Sequence, residues 1–100
     1  MVVESVGQSD AGILKTLALS VVARPGYDVV LVSADAPFLA VVARSPGGGL
    51  EAGAVVRRLI ERFGGKGGGR ADLAQGGGLN GEKGEILDEA RRLLTLPPPV

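Results

Sequence analysis

The sequence predicts one small α/β domain, with an α+β arrangement as the alternative, in which a mixed sheet of about four strands is covered by three helices. A length of 100 residues suits one hydrophobic core and would be marginal for two. Runs of β-branched residues alternate with segments of helical periodicity in the order βαββαβα. Val, Leu and Ala dominate a hydrophobic fraction of 45%, against 3% aromatic residues, so we expect an aliphatic core.

The first elements are a short strand at Val2 to Val6 and a helix. Ser9 or Asp10 is placed to cap this helix, and Arg24-Pro25-Gly26 ends it. Its predicted apolar stripe consists of Ile13, Leu14, Leu17, Ala18, Val21 and Val22.

Two β-branched runs then predict an antiparallel hairpin. Val29–Val32 and Phe38–Val42 are separated by Asp35-Ala36-Pro37, a turn too short for a crossover between parallel strands. We expect these buried strands to form the centre of the sheet.

Two amphipathic helices are predicted in the second half. Pro46 and three glycines lead into the first of them, whose polar face carries Arg57, Arg58, Glu61 and Arg62 and which ends at Gly64. Its predicted buried face is Ala52, Val55, Val56, Leu59, Ile60 and Phe63. The last helix opens at Asn80 or Gly81 and buries Ile86, Leu87, Ala90, Leu93 and Leu94.

Between these helices lies a run, Gly64 to Gly78, in which eight of fifteen residues are glycine. We interpret it as a loop followed by one short strand at Asp72 to Gln75. Its polar residues are Lys, Arg, Asp and Gln rather than the serine of a spacer, which indicates a backbone that closely approaches a ligand. The run lacks the Ser or Thr that a P-loop places after its lysine, so a nucleotide triphosphatase is not expected.

Composition excludes several kinds of function. The sequence has no cysteine and no histidine, which removes disulfides, zinc sites built from these ligands, thiol nucleophiles and Ser-His-Asp triads. We expect neither a cofactor nor a metal. No apolar run is suited to spanning a membrane, and we expect a cytoplasmic protein without a membrane partner.

Positive charge is concentrated in one segment of a chain whose formal net charge is zero. Residues 57–70 hold five basic residues and one acid. Lys66 and Arg70 lie within the glycine run, where backbone N–H groups and a guanidinium suit a phosphate. For Arg57, Arg58 and Arg62, the solvated face of a helix is an equally good interpretation.

The segment from Gly67 to Gly78, read as GGGRADLAQGGG, resembles the signature of the DHH-associated domain at the C-terminus of alanyl-tRNA synthetases. The resemblance extends from the first strand to Leu94. We assign the domain to residues 1–96 and a proline-rich tail to 97–100. The family usually has proline between the Arg and the Asp, where this chain has Ala71, so we expect a less rigid loop.

The resemblance implies a non-catalytic module that grips tRNA, alanine tRNA in particular, for aminoacylation and editing by domains absent from this sequence. Partners are then tRNA and other domains of a parent ligase, and the chain is an excised fragment or a freestanding relative. The resemblance also implies that a preceding helical segment, which this sequence lacks, contributes to self-association, so self-association remains open but is not what we expect of this chain. The RNA-binding residues we predict are Lys66, Gly67, Gly68, Gly69, Arg70, Gln75, Arg57 and Arg62, and the residues that shape the loop are Asp72, Gly76, Gly77 and Gly78.

Two alternatives remain open at this point. The same kind of domain forms the substrate-binding half of DHH-family phosphoesterases, which act on short oligonucleotides. There the glycine run typically ends in His, whereas this chain has Arg70. The other alternative is a structural oligomerisation module in which the glycines allow two backbones to pack closely.

Overall fold

The computed structural model describes residues 2–7, 10–35, 37–45 and 50–95. The described elements, in chain order, are β1 (Val2–Ser5), α1 (Ala11–Val22), β2 (Asp28–Val32), β3 (Phe38–Arg44), α2 (Ala52–Phe63), β4 (Lys66–Gly69), β5 (Leu73–Leu79) and α3 (Lys83–Thr95). The predictions for Ser9, for Pro46 with its three glycines and for the tail at 97–100 lie outside the described residues.

The strands form one mixed sheet in the order β1-β2-β3-β5-β4. β1 runs parallel to β2, and the other three pairings are antiparallel. β2 and β3 form the predicted hairpin in the interior of the sheet, with Val30 opposite Val42. The predicted class, a small α/β domain with a mixed sheet and three helices, is confirmed.

The helices cover the two faces of the sheet unequally. α2 and α3 pack on one face, where Val56, Leu59 and Ile86 join a core with Val30 and Val42. α1 packs alone on the other face over β2 and β3. Because strand residues alternate between faces, neighbours such as Val41 and Val42 fall in different cores and are both fully buried.

The sequence misplaced part of the buried face of α1. Asp10 caps this helix, since its Oδ1 accepts a hydrogen bond from the Ile13 N–H at 3.1 Å. Leu14, Ala18 and Val22 are buried, but Ile13 and Leu17 are 43% and 41% exposed. Apolar residues surround much of α1, so helical periodicity alone does not define which stripe faces the sheet.

α2 and α3 agree closely with their predicted apolar faces. α2 ends at Gly64, whose φ of 81° lies in the region that glycine adopts freely. α3 begins slightly later than expected, at Lys83, and the carbonyl of Glu82 accepts the hydrogen bond of the Ile86 N–H at 3.1 Å. Among the described residues, no helix combines the length and apolar character that crossing a membrane requires.

The glycine run differs most from its prediction, because it forms a β-hairpin rather than a loop and one short strand. Gly67, Gly68 and Gly69 lie in β4, and Gly76, Gly77 and Gly78 lie inside β5. The sheet therefore has five strands. Strand patterns are recognised from alternating side chains, and a glycine strand presents none.

Candidate nucleic-acid interface

β4 forms one edge of the sheet. It pairs on one side with β5, and no strand of the described residues pairs with its other side. All four of its residues, Lys66–Gly69, are exposed. In an antiparallel edge strand, alternate residues direct N–H and C=O groups away from the partner. Within the glycine run of β4, the outward-directed backbone hydrogen-bonding groups are therefore not shielded by side chains of their own residues.

The hairpin turn carries Arg70, Ala71 and Asp72. The Arg70 N–H donates to the Leu73 carbonyl at 2.8 Å, and Nε of Arg70 lies 3.3 Å from a carboxylate oxygen of Asp72. Both side chains are largely exposed, at 75% and 54%, so solvent weakens this ion pair. Asp72 lies in the turn just before β5, which begins at Leu73 rather than at Asp72.

The same turn docks onto the start of α2. The Ala52 N–H donates to the Ala71 carbonyl at 2.9 Å, and the Gly53 N–H donates to the Arg70 carbonyl at 3.1 Å. Two of the N–H groups that a helix start leaves unpaired are thereby satisfied within the protein. The position of Arg70 is thus set by helix α2 as well as by the strands.

Lys66 and Gln75 lie on the face of the sheet that carries α1. Lys66 is opposite Gly77, and Gly68 is opposite Gln75. A Cβ at Gly77 would lie 3.5 Å from Leu39, a residue packed against the α1 core. Directly opposed residues point to the same face and alternate residues share it, so Lys66, Gly68 and Gln75 belong to that face.

Two of the glycines of β4 are required by close packing. A Cβ at Gly67 would lie 2.2 Å from the Gln75 carbonyl oxygen, and one at Gly69 would lie 2.5 Å from the Leu73 carbonyl oxygen. A Cβ at Gly68 would meet nothing within 4 Å. The hairpin therefore needs glycine at positions 67 and 69, while position 68 borders open space.

The predicted basic cluster divides into two parts. Arg57 lies one turn after Gly53, on the side of α2 that approaches the β4 end of the hairpin. Arg62 is five residues further along, which at 3.6 residues per turn is a rotation of about 140° around the helix. The structure therefore places Arg57 on the side of α2 next to the turn that carries Arg70, on the opposite face of the sheet from Lys66, and directs Arg62 toward α3.

Arg62 binds Glu89 of α3, a carboxylate that is 5% exposed. Arg92 binds the other oxygen of the same carboxylate, with Nε at 2.9 Å. These hydrogen bonds, that of Arg92 foremost, lower the pKa of Glu89 below its ordinary value of 4.5, against the opposing effect of burial. The predicted RNA contact at Arg62 thus coincides with an ion pair between helices.

Glu89 is not among the residues predicted for the site, although the sequence carries a signal for it. Glu89 lies between Ile86 and Leu93 in the periodic apolar pattern of α3 and precedes Arg92 by three residues. A charged residue within an apolar stripe is seldom buried without a partner. Among the described residues, no group of three or more Asp or Glu is placed to hold a metal ion.

The matches to known proteins agree with this architecture. A family model described as the DHHA1 domain matches residues 1–96. This chain belongs to the DHHA1 domain family. The DHHA1 domain described here is 49% identical over 75 residues to the alanine–tRNA ligase of Thermus thermophilus, an alignment that covers 74% of this chain and 8% of the ligase.

A second relative of this DHHA1 domain is the alanine–tRNA ligase of Nocardioides sp., with 39% identity over 92 residues, 84% of this chain and 10% of the ligase. The crystal structure of the C-Ala domain from Aquifex aeolicus alanyl-tRNA synthetase has a TM-score of 0.78 at 26% identity, covering 93% of this chain and 88% of that one. The predicted resemblance is confirmed. The chain spans a tenth or less of the length of these ligases.

Proposed function

We propose that this DHHA1 domain is a non-catalytic tRNA-binding module that holds alanine tRNA while other domains of a parent ligase carry out aminoacylation and editing. The observation that carries the proposal is the exposed edge of β4, which has Lys66 at one end and Arg70 just beyond the other. Four residues of strand separate these two cations by about 13 Å.

The chemistry of this edge fits a phosphate backbone. Backbone N–H groups, Lys and Arg are common donors to nucleic-acid phosphates. The glycines let a phosphate approach the strand without side-chain obstruction, and Arg57 adds a cation beside the hairpin. Arg70 can exchange its exposed partner Asp72 for a phosphate at little cost, because exposed ion pairs contribute about 0–1 kcal/mol.

The relatives support the choice of ligand. The matched proteins are named as alanine–tRNA ligases, and the similar solved domain is named as part of an alanyl-tRNA synthetase. Sequence similarity to a portion of these ligases, together with a cationic hairpin edge, favours tRNA over an unrelated anion.

A fluorescence-anisotropy titration of labelled alanine tRNA at two salt concentrations tests the proposal. Contacts by Arg57, Lys66 and Arg70 predict that log K falls with log salt at a slope no steeper than about −3. A non-cognate tRNA and a short RNA oligomer serve as competitors. Preference for folded tRNA supports the proposal, whereas preference for the oligomer would indicate the phosphoesterase type of domain.

Substitutions at the β4 edge test whether this surface binds the RNA. Arg70→Gln and Lys66→Gln should each weaken binding and reduce the salt slope by about 1. Arg24→Gln is the matched control, because Arg24 is an exposed arginine in the turn after α1. Equal losses in Arg24→Gln and Arg70→Gln would contradict the site. Stable dimers without RNA affinity, seen by analytical ultracentrifugation, would instead support an oligomerisation module.

A further inference from the structure

A second group of cations lies in a groove between α2 and α3. The groove has a volume of about 520 Å³ and is lined by Arg58, Glu61, Arg62, Glu89 and Arg92. Three guanidinium groups face two carboxylates there, which leaves one net positive charge. This surplus lies within a protein whose formal net charge is zero.

The floor of the groove is organised by Glu89. Its carboxylate is 5% exposed and binds Arg62 through one oxygen and Arg92 through the other. Arg62 and Arg92 are nevertheless 51% and 60% exposed, so both guanidinium groups also face the groove. A buried carboxylate thus holds two arginines from different helices next to each other, which reduces the entropy lost when they bind a ligand together.

The rim of the groove is less constrained. Arg58 and Glu61 are 3.7 Å apart and are 68% and 67% exposed, so their ion pair is weak. Arg58 lies one turn before Arg62 on α2, on the same side of the helix. Arg58, Arg62 and Arg92 thus line the same groove, and of their ion pairs with the carboxylates of the groove that of Arg58 is the weakest. Glu61 is the one charge at the rim that opposes a bound anion.

We propose that this groove binds a phosphate group between Arg58 and Arg62, with Arg92 completing its cationic wall. Guanidinium groups recognise phosphate oxygens through paired N–H donors, and the planar geometry of arginine suits this better than a lysine does. The site differs from the β4 edge, because Arg58 and Arg62 face α3 whereas Arg57 lies beside the hairpin. It does not rest on the proposed tRNA-binding function.

Titration of the ¹⁵N-labelled protein with inorganic phosphate at low ionic strength tests this site by NMR. We expect saturable shifts of the side-chain Nε–H signals of Arg58, Arg62 and Arg92. Arg58→Gln should weaken the phosphate affinity about fivefold, the upper range for one exposed charge. Glu61→Gln should strengthen it about twofold, because the opposing charge is removed. Both substitutions lie on an exposed helix face and leave the Glu89 anchor intact.

Arg91→Gln is the matched control, since Arg91 neighbours Arg92 on α3 but pairs with Asp88 outside the groove. Shifts that do not saturate, or an affinity unchanged in Arg58→Gln, would overturn the proposal. So would shifts confined to Lys66 and Arg70, which would assign the phosphate to the β4 edge.

A parallel titration with a short RNA distinguishes the source of the phosphate. If RNA moves the groove signals and inorganic phosphate competes with it, the bound group is an RNA phosphodiester. If phosphate saturates the groove while RNA leaves these signals unchanged, the ligand is free phosphate. Arg70→Gln should alter RNA binding at the β4 edge without changing phosphate binding in the groove, so the two proposals can fail separately.

Discussion

Arg62 of α2 donates a hydrogen bond to the buried carboxylate of Glu89 of α3. The pair joins the two helices that cover one face of the sheet, and Arg92 holds the same carboxylate from within α3. Arg62, which was predicted to contact RNA, therefore links α2 to α3.

We expect Glu89→Gln to destabilise the domain by about 2 kcal/mol. The amide retains the size of the side chain but loses the charge that both arginines need, and a weakened buried hydrogen-bond network typically costs about 1–3 kcal/mol. Thermal unfolding followed by circular dichroism should show a fall in Tm of roughly 10 °C. Asp88→Asn is the control, because Asp88 is 80% exposed and its ion pair with Arg91 lies at the surface. A similar loss in both variants would argue against a special role for the buried carboxylate.

The pKa of Glu89 makes stability depend on pH in a defined direction. Hydrogen bonds from Arg92 and Arg62 lower the folded-state pKa below 4.5. The stabilising contribution is therefore complete above about pH 4.5 and is lost as the pH falls through the folded-state pKa. Urea denaturation of the wild type and Glu89→Gln between pH 7 and pH 2 measures this difference. The two free energies of unfolding should converge at the acidic end, and a constant difference would contradict the assignment.

The division of the basic cluster predicts different consequences for two arginines of α2. Arg57→Gln should weaken RNA binding and leave the free energy of unfolding within about 0.5 kcal/mol, because Arg57 is exposed beside the hairpin. Arg62→Gln should cost about 1 kcal/mol of stability, since Glu89 keeps only Arg92 as a partner. Anisotropy titrations and urea denaturation of both variants test this. If Arg62→Gln loses RNA affinity and Arg57→Gln does not, Arg62 rather than Arg57 is the RNA contact.

Two neighbouring glycines should respond differently to alanine. Gly67→Ala introduces a Cβ 2.2 Å from a backbone oxygen and should cost about 1–3 kcal/mol through displacement of β4. Gly68→Ala enters open space and should leave stability unchanged or raise it by up to about 1 kcal/mol. Chemical denaturation compares them directly. Equal stability of the two variants would show that the hairpin backbone is not packed as described.

The sequence predicted the fold correctly where side chains carry a pattern. The β-branched runs ending at Val32 and beginning at Phe38 defined a hairpin, and the alternation of Val55, Val56 and Leu59 with arginines defined the buried face of α2. It failed where that information is missing. β4 has no apolar side chain to alternate, and α1 is apolar on too many sides for Ile13 to be placed.

The candidate site was likewise predictable from the sequence only in part. Lys66 and Arg70 were predicted from their glycine setting; the structure places Lys66 in the exposed strand β4 and Arg70 in the turn that follows it, and their contact with RNA stays a prediction. Arg57 and Arg62 appeared equivalent because both are polar positions of one helix. Only the packing of α3 against α2 distinguishes them, and that arrangement depends on contacts between residues far apart in sequence.

The hydrogen bonds from Ala52 and Gly53 to the hairpin turn couple the start of α2 to the β4–β5 hairpin. The chain leaves α2 at Phe63, runs through β4 and returns to the start of the same helix at Arg70 and Ala71. The start of the helix and the hairpin turn are thereby joined by two hydrogen bonds between residues 19 and 17 positions apart in the sequence. The Ala52 and Gly53 amides should exchange with solvent hydrogen at a common rate, because both become accessible only when the turn lifts from the helix. An RNA bound at the turn would slow that exchange. The amide signals of Ala52 and Gly53 at the start of α2 therefore report whether RNA occupies the neighbouring β4 edge.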